Sequence, residues 1–277
     1  MQQTFYKYHG AGNDFIIMYD EYNNVFNNVP DRQRLIATLC HRRFGIGADG
    51  LMLLQNDEKY DFKMVYFNSD GKPGTMCGNG GRCLVKFAFD VGKITHSSQF
   101  VASDGPHEAS ILEDDGSGGI VSLGMNDVKD LEQNKDRFIL DTGSPHMVQF
   151  VENVKSLNVF EEGRNIRYSS EWEKQGINVN FVEITEDELL IRTYERGVEN
   201  ETWACGTGVT AAAIAAHAAG IKRKNNTYTL WAKGGKLSVS FDHFRHHHYQ
   251  NIVLTGPAVK VFEGELDLSR IVPVWEK

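Results

Sequence analysis

Two short stretches of the chain repeat one another: Met76-Cys77-Gly78-Asn79-Gly80-Gly81-Arg82 and Ala204-Cys205-Gly206-Thr207-Gly208-Val209-Thr210. Each is a Cys-Gly-x-Gly that follows an extended stretch and opens a helix-like run. Cysteine does proton chemistry as its thiolate. A helix start, with unpaired N–H groups and the positive end of the macrodipole, lowers a thiol pKa from about 8.5 toward roughly 3.5–7.5. The glycine that follows lets backbone N–H groups approach a ligand closely and hold a carboxylate. The two cysteines stand 128 positions apart, close to half of the 277 residues. One such thiol in each half suggests a face-to-face pair, able to remove a proton from one side of a carbon and return one to the other. A single motif of this kind reads more simply as a small buried hydrophobe at a tight turn. Two in matching context argue against that reading.

The other candidates are weaker. Cys40 and Cys83 lie inside helical patterns among apolar residues and read as core. No Cys-x₂₋₄-Cys pair occurs, so the four cysteines do not suggest a zinc site, and no metal is expected. Gly45-Ile46-Gly47-Ala48-Asp49-Gly50 matches G-x-G-x-x-G, but a dinucleotide fingerprint must follow a strand and open a helix. Here the helix precedes and a strand follows, so the glycines are expected to shape a turn. Glu195-Arg196, at a strand end ten residues before Cys205, reads either as a surface pair or as a grip for a carboxylate ligand, which Arg suits. His146 is placed on the loop Gly143-Ser144-Pro145-His146, where a lone histidine is more often structural. His246-His247-His248 reads as a solvated hairpin tip.

These groups need elements to position them. Strands are expected at Phe5–His9, Phe15–Tyr19, Leu51–Leu54 and Phe62–Phe67, with a helix from Pro30-Asp31 that buries Leu35, Ile36, Leu39 and Cys40. A second helix runs over Arg82–Val91 and stops at Gly92. Strands follow at Ser97–Ala102, His107–Leu112 and Ile120–Leu123. The polar stretch Asn126–Asp136 reads as an unstructured boundary. Beyond it come strands at Phe138–Leu140 and Met147–Val151, a helix near Val154–Ser169, and strands Asn180–Ile184 and Leu189–Tyr194. An alanine-rich helix Val209–Ala219 ends at Gly220. The strands Thr227–Ala232, Leu237–Phe241, Ile252–Leu254 and Val259–Phe262 finish the chain. This is one long helix per strand-rich half, not the alternation of a doubly wound sheet.

Composition bounds the function class. With 41% hydrophobic and 11% aromatic residues the chain can build real cores, and its formal charge of −8 shows no basic stripe. Nucleic acid and anionic membrane are therefore not expected partners. No apolar run reaches spanning length, and the start of the sequence lacks the pattern of a signal peptide. Four cysteines in a chain this long are no disulfide framework, so a reduced, cytoplasmic protein is expected.

On these residues the chain resembles the diaminopimelate epimerase family, nearly end to end. The resemblance is carried by Tyr8-His9-Gly10-Ala11-Gly12-Asn13-Asp14-Phe15, His41-Arg42-Arg43-Phe44-Gly45-Ile46-Gly47-Ala48-Asp49, Phe67-Asn68-Ser69-Asp70-Gly71, Tyr194-Glu195-Arg196-Gly197 and both cysteine motifs. The resemblance implies an α/β (α+β) fold of two pseudo-symmetric domains, each mostly antiparallel strands wrapped around a central helix, with the active site in the cleft between them. The lobes would be residues 1–127 plus about 264–277, and 128–263. It implies a cofactor-free epimerase interconverting LL- and meso-diaminopimelate for lysine and cell-wall precursors, with a small-molecule substrate and a homodimer as partners. Cys77 and Cys205 would be the acid/base pair, and His146 and Glu195 would assist them. Asn13, Asn68, Gly78, Asn79, Asn178, Glu195, Arg196, Gly206 and Thr207 would line the substrate. Three positions depart from the family pattern: Ser144 where Asn is usual, Gly50 where Gln is usual, and a loop Val198–Thr202 one residue longer. Two alternatives stay open: a racemase of the same fold acting on another amino acid, and a non-catalytic binder of amino acids or anions.

Overall fold

The structure is a computed structural model that describes residues 2–245 and 247–271. It divides into two compact units, residues 2–123 with 257–271, and residues 124–256.

In the first unit, β1 (Gln2–Gly10), β2 (Asn13–Tyr19), β3 (Gly50–Gln55) and β4 (Phe62–Asn68) are followed by β5 (Ser97–Ala102), β6 (Gly105–Asp114) and β7 (Gly118–Gly124). They pair in chain order, and the last strand, β16 (His248–Asp267), joins β7 on one side and β1 on the other. The result is a closed eight-strand barrel. The pairs β1–β2, β3–β4, β5–β6, β6–β7 and β1–β16 are antiparallel, and β2–β3 and β4–β5 are parallel. Helix α1 (Arg32–Cys40) makes the first parallel crossover and α2 (Gly78–Asp90) the second. Closure matters because it leaves no unpaired edge around α2. Every residue of α2 from Gly78 to Ala88 is buried.

The second unit repeats this plan. Its strands are β8 (Leu131–Asn134), β9 (Arg137–Asp141), β10 (Pro145–Phe150), β11 (Asn178–Ile184), β12 (Leu189–Glu195), the short β13 (Asn200–Thr202), β14 (Thr227–Ala232) and β15 (Gly235–Arg245). The parallel pairs are β10–β11, spanned by α3 (Val159–Arg167), and β12–β14, spanned by α4 (Gly206–Ala218). Within this unit the chain before β8 returns to β16: Val128 and Tyr249 exchange N–H···O bonds of 2.9 and 2.8 Å. Helix α4 packs against β9, β10, β11, β12, β14 and β15. A helix wrapped by strands on all sides must be apolar all round and slim. The sequence supplies Ala211, Ala212, Ala213, Ala215 and Ala216, each 0% exposed.

Several expectations need correction. The stretch Asn126–Asp136 is not an unstructured boundary: it holds the Val128 bridge and β8, which pairs with β9 through the tight turn at Lys135-Asp136. The two compact units divide at 123/124 and 256/257, beside the expected lobes of 1–127 plus about 264–277 and 128–263. The two expected strands Ile252–Leu254 and Val259–Phe262 are one strand, β16. Its residues up to Thr255 pair with β15, and those from Val259 onward pair with β1. The exchange of partners happens at Gly256-Pro257, where proline has no N–H to offer a ladder. The helix expected over Val154–Ser169 is a single 3-10 turn, Val154–Ser156, followed by α3, which Asn158 caps by accepting from Glu161 N–H. The long loop Val198–Thr202 contains β13, hairpinned onto β12 through Gly197 and Glu199, both at positive φ. His146 lies in β10, not on a loop. It pairs with Leu140 on one side and Asn178 on the other and is fully buried. Of the expected histidine loop, His246 lies outside the described residues, as do residues 272–277 of the expected return of the chain end.

Candidate active site

Cys77 and Cys205 occupy the same position in their units, the N-cap of the central helix. Their backbone angles nearly coincide, φ −116° and ψ 117° for Cys77 against φ −117° and ψ 112° for Cys205. In each, the cysteine carbonyl takes the first helical bond, from Gly81 at 2.7 Å and from Val209 at 2.8 Å. Each cysteine therefore stands at the end of its helix where the first-turn N–H groups lack helical partners, though only Cys77 uses its sulfur as a cap.

Around Cys77 the setting is cationic. Sγ accepts from Gly80 N–H at 3.5 Å. One turn into the helix, Arg82 is fully buried, donating to Gly78 O at 3.2 Å and Asn79 Oδ1 at 2.7 Å, while its Nε has no partner. Burial pulls the guanidinium down to about 10, with Cys83 and Cys77 opposing. A buried cation is costly unless an anion faces it, and an anionic sulfur at Cys77 would relieve that cost. Asn79, itself buried, donates to Asn13 Oδ1 at 2.6 Å, and Asn13 donates to Asp49 Oδ2 at 3.1 Å. This chain joins Cys77's helix start to the β1–β2 turn and to the glycine turn 45–50. Arg42 clamps the far side, bonding Asp14 at 2.6 and 3.0 Å and Asp49 at 2.8 Å. Asn68 is the exposed last residue of β4 and pairs with Gly50, at the end of that glycine turn.

Gly50, a departure from the family pattern, is explained by Tyr66. A Cβ at Gly50 would lie 2.5 Å from the Tyr66 ring and 2.6 Å from Phe67 O. A Cβ at Gly74 would meet the same ring, at 2.4 Å. The aromatic ring fills the space that a side chain at position 50 would need. Gly50→Gln alone is therefore expected to destabilise the fold by about 1–3 kcal/mol through overpacking. Thermal denaturation of the single variant and of Gly50→Gln with Tyr66→Ala checks this, and the second change should recover part of the loss.

Around Cys205 the setting is neutral and hydrogen-bonded. Sγ lies 3.4 Å from Thr207 Oγ1. Thr207 Oγ1 lies 2.8 Å from His146 Nε2 and 3.4 Å from Ser144 Oγ, and Ser144 Oγ is 3.0 Å from the same nitrogen. Asn178 donates to Ser144 Oγ at 3.1 Å and to Pro145 O at 3.0 Å, and accepts from Arg196 N–H at 2.9 Å. Burial, with Arg196 adding repulsion, lowers His146 to about 3, so it is neutral. The Arg196 guanidinium is exposed and donates to Gln175 O at 3.0 Å. Glu195 ends β12, its carbonyl accepting from Glu199 N–H at 2.8 Å.

The structure thus gathers Cys77, Gly78, Asn79 and Asn13 in one unit and Cys205, Gly206, Thr207, His146, Ser144 and Asn178 in the other. Sequence reasoning missed Arg82, Asn180 and Thr193. The signal for Asn180 was available: asparagine is poor in strands, and Asn178-Val179-Asn180 puts two on the face that continues with Val182 and Ile184.

Acid stability follows from the histidines. His146 and His217 are both buried, and burial lowers His217 to about 4. The unfolded chain would protonate both near the ordinary value of about 6.5. The folded state binds fewer protons below that point, so stability is complete above about pH 6.5 and falls as the pH drops toward 4. Urea midpoints between pH 7 and 4 should decline, and His146→Gln should flatten the slope.

A family model described as diaminopimelate epimerase matches residues 5–129 and 138–261 of the chain. A diaminopimelate epimerase of Flavobacterium psychrophilum is 51% identical over 93% of this chain and 98% of its own length. One from Chlorobaculum tepidum is 42% identical over 94% and 99%. Among solved structures, a PhzF-family phenazine biosynthesis protein of Bacillus anthracis superposes with a TM-score of 0.73 at 14% identity, covering 96% of this chain and 99% of that one. A hydroxyproline epimerase of Agrobacterium vitis gives 0.70 at 14% identity, covering 96% and 92%. At that identity the structural matches establish the shared fold.

Proposed function

Because the chain belongs to the diaminopimelate epimerase family and is thus an isomerase, we propose that it interconverts LL- and meso-diaminopimelate with two thiols and no cofactor. The step would serve lysine and cell-wall precursor synthesis in the cytoplasm. One observation carries the reading: a cysteine N-cap of nearly identical geometry at the central helix of each unit. Nothing in the packing of a barrel requires a thiol at that point twice. An acid/base pair does.

In this reading one cysteine, as thiolate, takes the α-proton, and the other, as thiol, protonates the opposite face. The reverse reaction exchanges their roles. The two must hold opposite protonation states, so they titrate as a coupled unit. With no cofactor to delocalise the carbanion, charge building toward the α-carboxylate must be met by preorganised donors. The N–H groups of Gly78 and Asn79 on α2 and of Gly206 and Thr207 on α4 are at the helix starts where such an anion binds. Arg82 supports the anionic form of Cys77 from inside the first unit. His146 acts on Cys205 through Thr207. Asn13, Asn68 and Asn178 frame the substrate, and Glu195 and Arg196 offer opposite charges to its ammonium and carboxylate ends.

The test is direct. Purified protein, reduced and given no cofactor, should form meso-diaminopimelate from the LL-isomer. Faster α-proton exchange on any other free amino acid of a panel would instead favour a racemase of the same fold.

A further inference from the structure

We propose that Asn180 is a positioning residue for the reaction: it fixes the proton of His146 on Nε2, so that Thr207 can donate its own hydroxyl proton to the sulfur of Cys205. The inference rests on the reading of Cys205 as an acid/base and deepens it.

The direction of every bond in this chain can be worked out from chemistry. Asn180 is 0% exposed and sits in β11, facing the start of α4. Its Nδ2 lies 2.9 Å from Met147 O. A backbone carbonyl only accepts, so that atom must be the NH₂ and not the oxygen. Its other proton then points at His146 Nδ1, 3.0 Å away. An amide nitrogen does not accept, so Nδ1 carries a lone pair. The Asn180 oxygen is held in turn by the Thr193 hydroxyl at 2.9 Å. With Nδ1 bare and the ring neutral, the single ring proton is on Nε2. That N–H is donated to Thr207 Oγ1 at 2.8 Å, with Ser144 Oγ beside it at 3.0 Å. Thr207 is then an acceptor from histidine, and on this proposal its own proton goes to Cys205 Sγ at 3.4 Å, with the Ser144 hydroxyl, also 3.4 Å away, donating to Thr207 Oγ1.

The chain runs one way, from Thr193 through Asn180, His146 and Thr207 to Cys205. Its end is a donor aimed at sulfur, which favours the thiolate. With the opposite tautomer, Nε2 would demand Thr207's proton, and the sulfur would meet an oxygen lone pair. Burial holds His146 well below the ordinary histidine value, which keeps the ring neutral and the chain in this sense. Gly208, the third residue of α4, belongs to the same device. A Cβ at Gly208 would lie 2.4 Å from Asn180 Oδ1. The second glycine of this Cys-Gly-x-Gly therefore makes room for the carboxamide.

The resting protein tests the tautomer without turnover. Histidine-labelled ¹⁵N spectra should show His146 protonated at Nε2 and bare at Nδ1. Protonation at Nδ1 overturns the proposal even if Cys205→Ala abolishes activity, so its failure is distinguishable from failure of the epimerase reading. Asn180→Asp, which accepts where Asn180 donates, should move the proton to Nδ1. For the rate, Asn180→Leu should lower kcat about 10- to 100-fold, the worth of one hydrogen bond to a charged group, with KM changed about twofold or less. Thr207→Val should do the same. In the Thr207→Val background Asn180→Leu should cost less than about twofold, because the chain is already cut. Losses that simply multiply would show Asn180 to be a packing residue and overturn the assignment.

Discussion

Alanine at either Cys77 or Cys205 is expected to lower epimerisation by about 10²–10⁴-fold, the range for removing a positioned proton-transfer group. The loss should be chemical and not structural. Cys77 caps its helix only through a 3.5 Å bond to sulfur, and Cys205 makes no side-chain cap bond at all, so truncation should cost each helix start about 1 kcal/mol or less. Melting curves of both variants should stay close to that of the parent. The other two cysteines supply the control. Burial pushes the Cys40 thiol up to about 12 and raises Cys83 further, so neither offers a thiolate near neutral pH. Cys40→Ala and Cys83→Ala should keep most of the turnover and lose stability instead, as buried truncations do. Rates and melts on the four variants separate the two kinds of cysteine.

The second large effect separates the two copies of the motif. Gly80→Ala and Gly208→Ala change equivalent glycines, but the neighbours differ. At Gly80 the new methyl would meet the Met52 thioether at 3.1 Å, a side chain that can give way. At Gly208 it would meet Asn180 Oδ1 at 2.4 Å, and Asn180 is pinned by Thr193, Met147 and His146. We expect Gly208→Ala to cost about 1–3 kcal/mol by overpacking and to lower kcat about tenfold or more through the displaced carboxamide. Gly80→Ala should be close to neutral in both. Urea denaturation and steady-state kinetics on the pair check this. Equal effects would mean that the second glycine serves the helix start alone.

Much of the fold could be read from the sequence because local chemistry and tertiary structure agree there. Asp31 caps α1 by accepting from Arg34 N–H, Gly92 takes the positive φ that ends α2, and Gly220 does the same for α4. Leu35, Ile36 and Leu39 repeat at helical spacing and are buried together. The failures come where only the partner strand decides. Leu131-Glu132-Gln133-Asn134 has one apolar residue and no alternation, and it is a strand because β9 lies beside it. Asn200-Glu201-Thr202 is held by the hairpin and by Arg192, which grips Glu201 at 2.7 and 2.9 Å. Ile252–Leu254 and Val259–Phe262, expected as two strands, are one continuous strand that changes partners at Gly256-Pro257. The site shows the same division. The thiols and glycines were visible as a motif, whereas the chain through Asn180 and Thr193 forms only when β10, β11 and β12 come into register. Its parts are spread over positions 146 to 207.

The central claim, two thiols working on opposite faces of one carbon, is tested most directly by the fate of deuterium in the first turnovers. LL-diaminopimelate should be converted in D₂O and sampled well before equilibrium. If one cysteine removes the α-proton and the other supplies its replacement, the meso product should carry deuterium at the inverted carbon from the start. The remaining LL-substrate should still hold hydrogen, since the thiol facing it returns the proton it took. Early product that keeps its α-hydrogen, or deuterium entering both isomers at the same rate, would mean that a single base serves both faces and would contradict the account.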